Sequence, residues 1–400
     1  MPDDPGAPTG HDRLVSGAAW TELCDRLAAV GRRITEPDFP GTPRDRAEGF
    51  RYLARLAVFA LQWSIEFSDP RFPAFYRYDD DVVKWGGPNA DNQYLRAKVE
   101  PAGTYRVTGN VTGLRDLIIS TPEGDMQLGQ YRVFEERNLE QLEIGRDGTL
   151  EVVVSAEQHP GNWIPLHPEA DHVLVRQYVS DWDHDAVATL RVERVDTVGA
   201  APPPLEPEFM TAALDRAAMW VERSAVYWNE YLRQARERMG RNALAPPMTP
   251  PGGARDILYG GGWWELADGE ALVVDCEAPE ARYWSIQLYN PGWFESLDIA
   301  NRTVSLSGDQ IHVDGDGRFR VVIAHDDPGV PNWLDTEHRR EGLVSYRWVF
   351  SATAPAPASR VVPVADVRAH LPADTPAWTG DQRRDQIARR QAAVARRFRT

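Results

Sequence analysis

The sequence predicts a mainly β protein with accessory helices: two related antiparallel β-sandwich domains of jelly-roll type, an N-terminal helical pair, and a long helix between the sandwiches. Three observations carry that prediction. The chain, at 400 residues, is longer than one hydrophobic core usually serves. It also repeats a pattern. Arg146-Asp147-Gly148-Thr149-Leu150-Glu151-Val152-Val153-Val154 leads through His159-Pro160-Gly161 to Asn162-Trp163 and then to Val175-Arg176-Gln177-Tyr178, and the run 315–348 does the same with Asn332-Trp333 and Arg347. Each copy reads as a hairpin-like unit: an Asp-Gly turn, an alternating strand, a Pro/Gly loop and a returning strand. Finally, short β-rich segments separated by turn residues lie on both sides of one long amphipathic stretch.

In chain order, residues 1–15 are rich in Pro, Gly and Asp and are expected to form a loose tail. Residues 16–68 hold the helical pair. Trp20, Leu23, Leu27 and Val30 share one helical face; Thr42 then reads as an N-cap before Pro43, with Phe50, Leu53, Ala57, Leu61 and Ile65 as the second apolar stripe. The first sandwich spans 69–199. It opens on an aromatic, acidic loop where Tyr76, Tyr78 and Trp85 stand beside Asp79, Asp80 and Asp81, either as a pocket wall or as cover over a domain seam. Strands are expected at 105–107, 117–120, 150–154, 173–179 and 188–195.

Residues 200–253 comprise a stiff Pro-rich linker, the long helix and a Pro/Gly loop at 245–253. In the helix Met210, Leu214, Ala217, Val221, Ala225, Trp228 and Leu232 step by threes and fours. At 1.5 Å per residue it would extend roughly 45 Å and brace both sandwiches. The second sandwich occupies 254–365, with strands at 271–276, 283–289, 304–306, 318–324 and 343–350. The closing segment 366–400 carries Arg383, Arg384, Arg389, Arg390, Arg396, Arg397 and Arg399 on a helix, expected to dock on acidic surface of its own chain or of a twin subunit.

A net charge of −16 repels phosphate backbones and anionic lipid heads, so neither nucleic acid nor membrane is the expected partner. No apolar run reaches the roughly 20 residues of a membrane helix, and the N-terminus lacks the basic head and apolar core of a signal peptide, so cytoplasmic residence is expected. Cys24 and Cys276 are too few for a disulfide framework or a thiolate metal cluster, and each is expected to be a buried, inert thiol.

The repeat supplies a filter for function. What both copies share, Asn162/Asn332, Trp163/Trp333 and Arg176/Arg347, is expected to hold the fold, each Trp stacking with the Arg of the returning strand. What occurs once is expected to do the work. His338 would be the acid or base, Asp335 its orienter, and Glu295 or Asp298 the complementary carboxylate. Arg347 would clamp an anion, and Trp293, Trp333 and Trp263, with Tyr76 and Trp85, would line the substrate site. In the first half, Asp181, Asp183 and His184 are the weak candidates for a divalent cation; an exposed acidic turn is the preferred reading, and no cofactor is expected. There is no GxSxG elbow, P-loop or GxGxxG. The function expected from these residues is a hydrolase or lyase acting on a small polar or amphipathic molecule, in a chain that could form homo-oligomers. The alternative is a non-catalytic β-sandwich that binds a carbohydrate or other small ligand.

The segments Trp293-Phe294-Glu295-Ser296-Leu297-Asp298, Ser305-Leu306, Asp314-Gly315-Asp316-Gly317-Arg318 and AHDDPGVPNWLDTEHRREGLVSYRW carry a resemblance. Over 259–364 the chain resembles the DUF1214 family of bacterial proteins, and 89–195, with DNQYLRAKVEPAGTYRVTGNV, resembles the upstream portion of actinobacterial members. The resemblance implies β-sandwich domains, often two per chain, and carries no catalytic residues with it. Phe294 and Ile299 depart from the family pattern, as does Glu337, where glycine is common, which bears on the turn before His338.

Overall fold

The computed structural model describes residues 9–249 and 256–399, and its architecture is mainly β and duplicated. The first half contains β1 (Tyr76–Arg77), β2 (Asn92–Lys98), β3 (Tyr105–Asn110), β4 (Asp116–Pro122), β5 (Val133–Asn138), β6 (Thr149–Ser155), β7 (Trp163–Pro165), β8 (His172–Tyr178) and β9 (Leu190–Arg194). The second contains β10 (Ile257–Glu265), β11 (Glu270–Glu277), β12 (Ala281–Tyr289), β13 (Ser305–Ser307), β14 (Arg318–Ala324), β15 (Trp333–Asp335), β16 (Glu341–Ser351) and β17 (Ala358–Pro363). The first sandwich pairs a sheet ordered β1-β2-β8-β4-β5 with one ordered β7-β6-β3-β9. In the second, β10-β16-β12-β13 faces β15-β14-β11-β17, which repeats those orders strand for strand apart from β1.

The repeat extends to single hydrogen bonds. Asn162 Nδ2 donates to the carbonyls of Glu143 (2.7 Å) and Glu151 (2.9 Å), and its Oδ1 accepts from the Glu143 N–H. Asn332 does the same with His312 (2.7 Å), Arg320 (2.9 Å) and the His312 N–H. Each asparagine stitches a loop to a strand edge where backbone groups would otherwise be unpaired.

The hairpin expectation is corrected. β7 runs parallel to β6, with Val153 opposite Trp163, and β15 runs parallel to β14, with Val322 opposite Trp333. The chain then crosses to the other sheet, so Arg176 and Arg347 lie in a different layer from the tryptophans they were expected to stack on. Trp333 instead donates to the Ala324 carbonyl and lies under Arg383, 5.1 Å from the ring centroid.

Alternation fills the two cores: Leu95, Val107, Ile119, Val152 and Val175 in the first, Val274, Ile286, Val321, Val344 and Trp348 in the second. The face of the β8 and β16 sheets opposite to these cores is where the sandwiches meet. Ile118 and Tyr178 pack against Ile257, Tyr283 and Val349, so the β2-β8-β4 and β10-β16-β12 sheets form the two inner layers of a four-layer body.

Helices close this seam. The expected loose tail is corrected in part: residues 1–8 lie outside the described residues, but Thr9 and Asp12 form a capping box at the N-terminus of α1 (Gly10–Val15), and Arg13 pairs with Asp215 at 2.9 Å. α2 (Ala18–Arg33) and α3 (Pro43–Leu61) follow, the latter capped by Thr42 and Asp45 as the Thr-Pro signal implied. α4 (Pro207–Arg238) packs on all three. Its Trp220 donates to Asp125 of the first sandwich (2.7 Å) and its Asn229 to the Gly292 carbonyl of the second (3.1 Å), so it braces both. α5 (Gly380–Phe398) docks on its own chain, largely through carbonyls and an aromatic face and less through acids. Arg390 donates to the carbonyls of Ile299 and Ser305, and Arg390 and Arg397 both lie over the Trp182 ring. Part of the expected 245–253 loop lies outside the described residues. No helix among the described residues is long and apolar enough to cross a membrane. Cys276 is buried, which pushes its thiol up to about 12, whereas Cys24 is exposed on α2, contrary to expectation.

Candidate functional site

The structure does not assemble the acid–base set expected around His338. His338 is exposed at a turn, and both it and Glu337 have φ of 54°, the left-handed region that favours glycine. The Asp335 carboxylate accepts from the Glu337 N–H (2.7 Å) and from Arg302 (2.8 Å), so it serves a turn and an arginine and does not orient the imidazole. Glu295, 1% exposed, is paired with Arg55, and the Asp298 carboxylate caps the N–H groups of Ala300 and Asn301, both at 3.1 Å. The ring nearest His338 is His325, 6.2 Å away between centroids, and its Nδ1 is bonded to the Thr336 hydroxyl.

The aromatic walls are corrected for a similar reason: these rings are core. Trp293 packs on Phe39 and Tyr52, Trp263 is buried with its indole donating to Glu341 (2.9 Å), and Tyr76 donates to Gln62 (2.9 Å). Trp85 lies against Phe59 and Trp220, so the aromatics of the 69–92 loop cover a seam. In the first half, Asp181 lies 2.7 Å from His184 Nδ1 and accepts from the Asp183 N–H, which makes the segment a self-capped exposed turn. Among the described residues no group of three or more His, Cys, Asp and Glu side chains is placed to hold a metal ion.

What the fold does bring together is Arg347 and its repeat partner Arg176. On β8, Val173, Val175 and Gln177 face the first sandwich, which turns Leu174, Arg176 and Tyr178 toward the seam. On β16, Val344, Tyr346 and Trp348 face the second core, which turns Arg347 and Val349 toward the same seam. Register adds a tyrosine to each. Arg176 stands opposite Tyr94 of β2, and Arg347 opposite Tyr259 of β10. Two copies of one cross-strand Tyr–Arg pair therefore meet where the sandwiches join.

Arg347 is only 7% exposed. Its Nη2 donates to the Gly87 carbonyl (2.9 Å) and to the Tyr289 hydroxyl (2.8 Å), and its guanidinium lies 5.6 Å from the Tyr259 ring centroid. Its Nη1 is buried with no hydrogen-bond partner among the described residues, and the same holds for Arg176 Nη1 and for the Ser120 hydroxyl on the same sheet face. Tyr94 accepts from the Asn89 N–H at 3.0 Å; burial pushes its hydroxyl up to about 12 against the opposing pull of Arg347, that N–H and Arg176. The sheets that carry the two arginines pack face to face through Ile118, Tyr178, Ile257, Tyr283 and Val349, so both side chains leave their sheets on the seam side. Arg347 is buried with hydrogen bonds only to a carbonyl and a phenol, a costly state that an anionic group would relieve, whereas Arg176 has the Glu136 carboxylate acting on it. Arg176, Tyr94 and Tyr259 were missed because repetition marked Arg176 as architecture, because a tyrosine among β-rich segments looks like core, and because the glycines after Tyr259 hid its strand. A signal did exist: in each half a tyrosine sits on the strand that pairs with the arginine-bearing one.

Comparison with known proteins places the chain. Residues 123–181 and 269–352 match the family described as "Protein of unknown function (DUF1214)". An uncharacterized protein from Burkholderia cenocepacia, solved as a crystal structure, is 36% identical and superposes with a TM-score of 0.82 over 89% of this chain and 99% of that one. The chain belongs to the DUF1214 family. The VPA0106 protein of Vibrio parahaemolyticus is 13% identical, with a TM-score of 0.47 over 78% of this chain and 98% of its own. No curated protein matches this DUF1214 chain. Both arginines of the seam fall inside the two DUF1214 segments, while Tyr94 and Tyr259 fall outside them.

Proposed function

We propose that this DUF1214 protein is a non-catalytic small-ligand binder that takes up an anionic molecule between its two sandwiches, with Arg347 and Arg176 as the anion clamp. The observation that carries this reading is the buried Arg347 guanidinium, whose Nη1 has no hydrogen-bond partner among the described residues. A planar guanidinium fork matches a carboxylate or phosphate bidentately, and two forks on facing sheets make a site selective for negative charge. The expected hydrolase or lyase chemistry has less support, because each carboxylate assigned to it is engaged elsewhere.

Calorimetric titration with acetate and with inorganic phosphate, run on the wild type and on Arg347→Gln and Arg176→Gln, tests the proposal. Anion binding to the wild type that weakens at least tenfold in both variants is expected. Heats that are the same in all three proteins, or no binding to the wild type at millimolar anion, would overturn it.

A further inference from the structure

The outer sheets of the two copies are covered differently. In the second copy Val367 and Leu371, from the chain that follows β17, pack on Val273, Val322 and Trp333, outward residues of β11, β14 and β15. The chain continues as a strap. The Thr375 hydroxyl donates to Asp314 (2.6 Å), Asp374 accepts from the Gly315 N–H (3.1 Å), and the Trp378 N–H donates to the Gly329 carbonyl (2.8 Å). Arg383 of α5 closes it, with Nε on Asp327 (3.0 Å), Nη2 on the Val330 carbonyl (2.6 Å) and the guanidinium over Trp333, which is left 7% exposed.

In the first copy the same place is open. On β6 and β7, Val152, Val154 and Ile164 fill the core, which turns Glu151, Val153 and Trp163 outward. Glu151 is exposed and the other two are half-buried. A groove of about 640 Å³ lies here, lined by Gly161, Asn162, Val153, Glu151 and Glu143 among others. Its loops match those under the strap. Gly161 and Gly329 share the left-handed conformation, with φ of 74° and 71°, and the Gly145 and Asp314 N–H groups each bond the carbonyl four residues on at 2.8 Å. The asparagine bonds fix which side chains correspond: Glu143 stands for His312 and Glu151 for Arg320. Charge is thereby inverted. Arg320 is held by Asp314 (2.9 Å) and Asp316 (2.6 Å), with glycine in the place of Asp314 in the first copy. Glu143 and Glu151 make no ion pair among the described residues, and Arg106, the cation that acts on Glu151, is itself held by Glu193.

We infer that this groove docks an extended segment of a partner protein that carries a basic side chain, laid over the first copy as residues 374–383 lie over the second, with its cation on Glu151 and Glu143. The inference is independent of the seam site. Two carboxylates where the other copy has an arginine and a histidine repel an acidic occupant and favour a cationic one. The strap is held in large part through backbone groups, so the framework is one that takes extended chain. A second copy of this protein is a poor occupant, since it brings the same net charge of −16 and its own strap is already bound.

The probes are fluorescein-labelled peptides of residues 372–384, one carrying Thr375→Arg and one Thr375→Glu, because Thr375 lies on Asp314 beside Arg320 and its equivalent would face Glu151. Anisotropy is read on the wild type, on Glu151→Lys and on Glu143→Lys, both exposed positions that leave folding intact. The Thr375→Arg peptide is expected to bind the wild type at least tenfold tighter than the Thr375→Glu peptide and to weaken at least fivefold in each variant. Equal binding of the two peptides, binding unchanged in both variants, or no binding at millimolar peptide would overturn the inference. Free arginine that binds as tightly as the peptide would make the groove a small-cation site. Self-association of the wild type that Glu151→Lys abolishes, read by sedimentation, would make the occupant a second copy, and either of these results also overturns the partner segment.

Discussion

Asp79, 3% exposed in the loop after β1, accepts the Trp85 N–H at 2.7 Å, and burial, reinforced by Asp80 and Asp125, pushes its carboxyl well above the usual carboxylate range. A carboxyl whose folded-state value is raised contributes stability that is fully present below the unfolded value near 4 and is lost as pH rises toward the folded value. Asp79→Asn keeps an oxygen acceptor for Trp85 and removes the charge. It is therefore expected to raise the unfolding free energy at pH 8 by about 1–3 kcal/mol, with the gain vanishing near pH 4, as read from urea unfolding at both pH values. Equal stability at pH 8 would mean that the ionised group is accommodated. Residues of this kind are where the sequence is least legible. Asp79, Asp80 and Asp81 look alike in a row of three, yet one is buried, and nothing local says which. Asp335 and Glu295 failed as catalytic candidates for the same reason: their partners Arg302 and Arg55 come from other elements, and Arg55 from another layer.

Elements were legible where their signals are local. Helical periodicity and the Thr-Pro cap of α3 involve residues within one or two turns, and the structure has α2, α3, α4 and α5 where those signals lie. β10 is absent from the strands the sequence predicts, because Gly260-Gly261-Gly262 depress strand propensity. The strand exists because those glycines let other chain segments approach: a Cβ on Gly260 would lie 2.1 Å from the Tyr346 hydroxyl, and one on Gly262 2.1 Å from the Ala243 carbonyl oxygen. The helix glycines carry a paired prediction of opposite sign. Gly31 in α2 has only ordinary contacts for a Cβ, Leu53 at 3.8 Å being the nearest, so Gly31→Ala is expected to stabilise by about 0.5–1 kcal/mol. Gly49 in α3 would set its Cβ 2.5 Å from the buried Trp293 ring, so Gly49→Ala is expected to destabilise by about 1–3 kcal/mol despite the better helix former. Denaturant midpoints measured for both variants check the pair, and the same sign for both would show that α3 can move off Trp293.

At the scale of the whole molecule the duplication was legible, but its consequence was not. Two copies standing apart would keep what they share as architecture. Copies joined sheet to sheet turn a shared outward residue and its duplicate toward one seam, and this is how Arg176 and Arg347 both come to lie on its side of their sheets. The same joining predicts how the molecule unfolds. Tyr283 of the second sandwich donates to Asp91 (2.6 Å) and accepts from Asn89 Nδ2 (2.9 Å) of the first half and packs on Tyr178 at 4.9 Å, while Gln287 donates to the Pro88 carbonyl at 2.8 Å. α4 and α5 each bridge both halves. Separating the sandwiches would leave Asp91, Tyr283 and Arg397 without these partners, so neither half is expected to persist once the other melts. Calorimetry is expected to show one transition with equal calorimetric and van't Hoff enthalpies. Tyr283→Phe, which removes the donor to a buried carboxylate, is expected to lower that single transition by about 2–4 °C without splitting it. Two resolved transitions in the wild type, or a Tyr283→Phe trace in which only one of two peaks moves, would mean that the sandwiches unfold as independent bodies and that the seam is too weak to preorganise facing arginines.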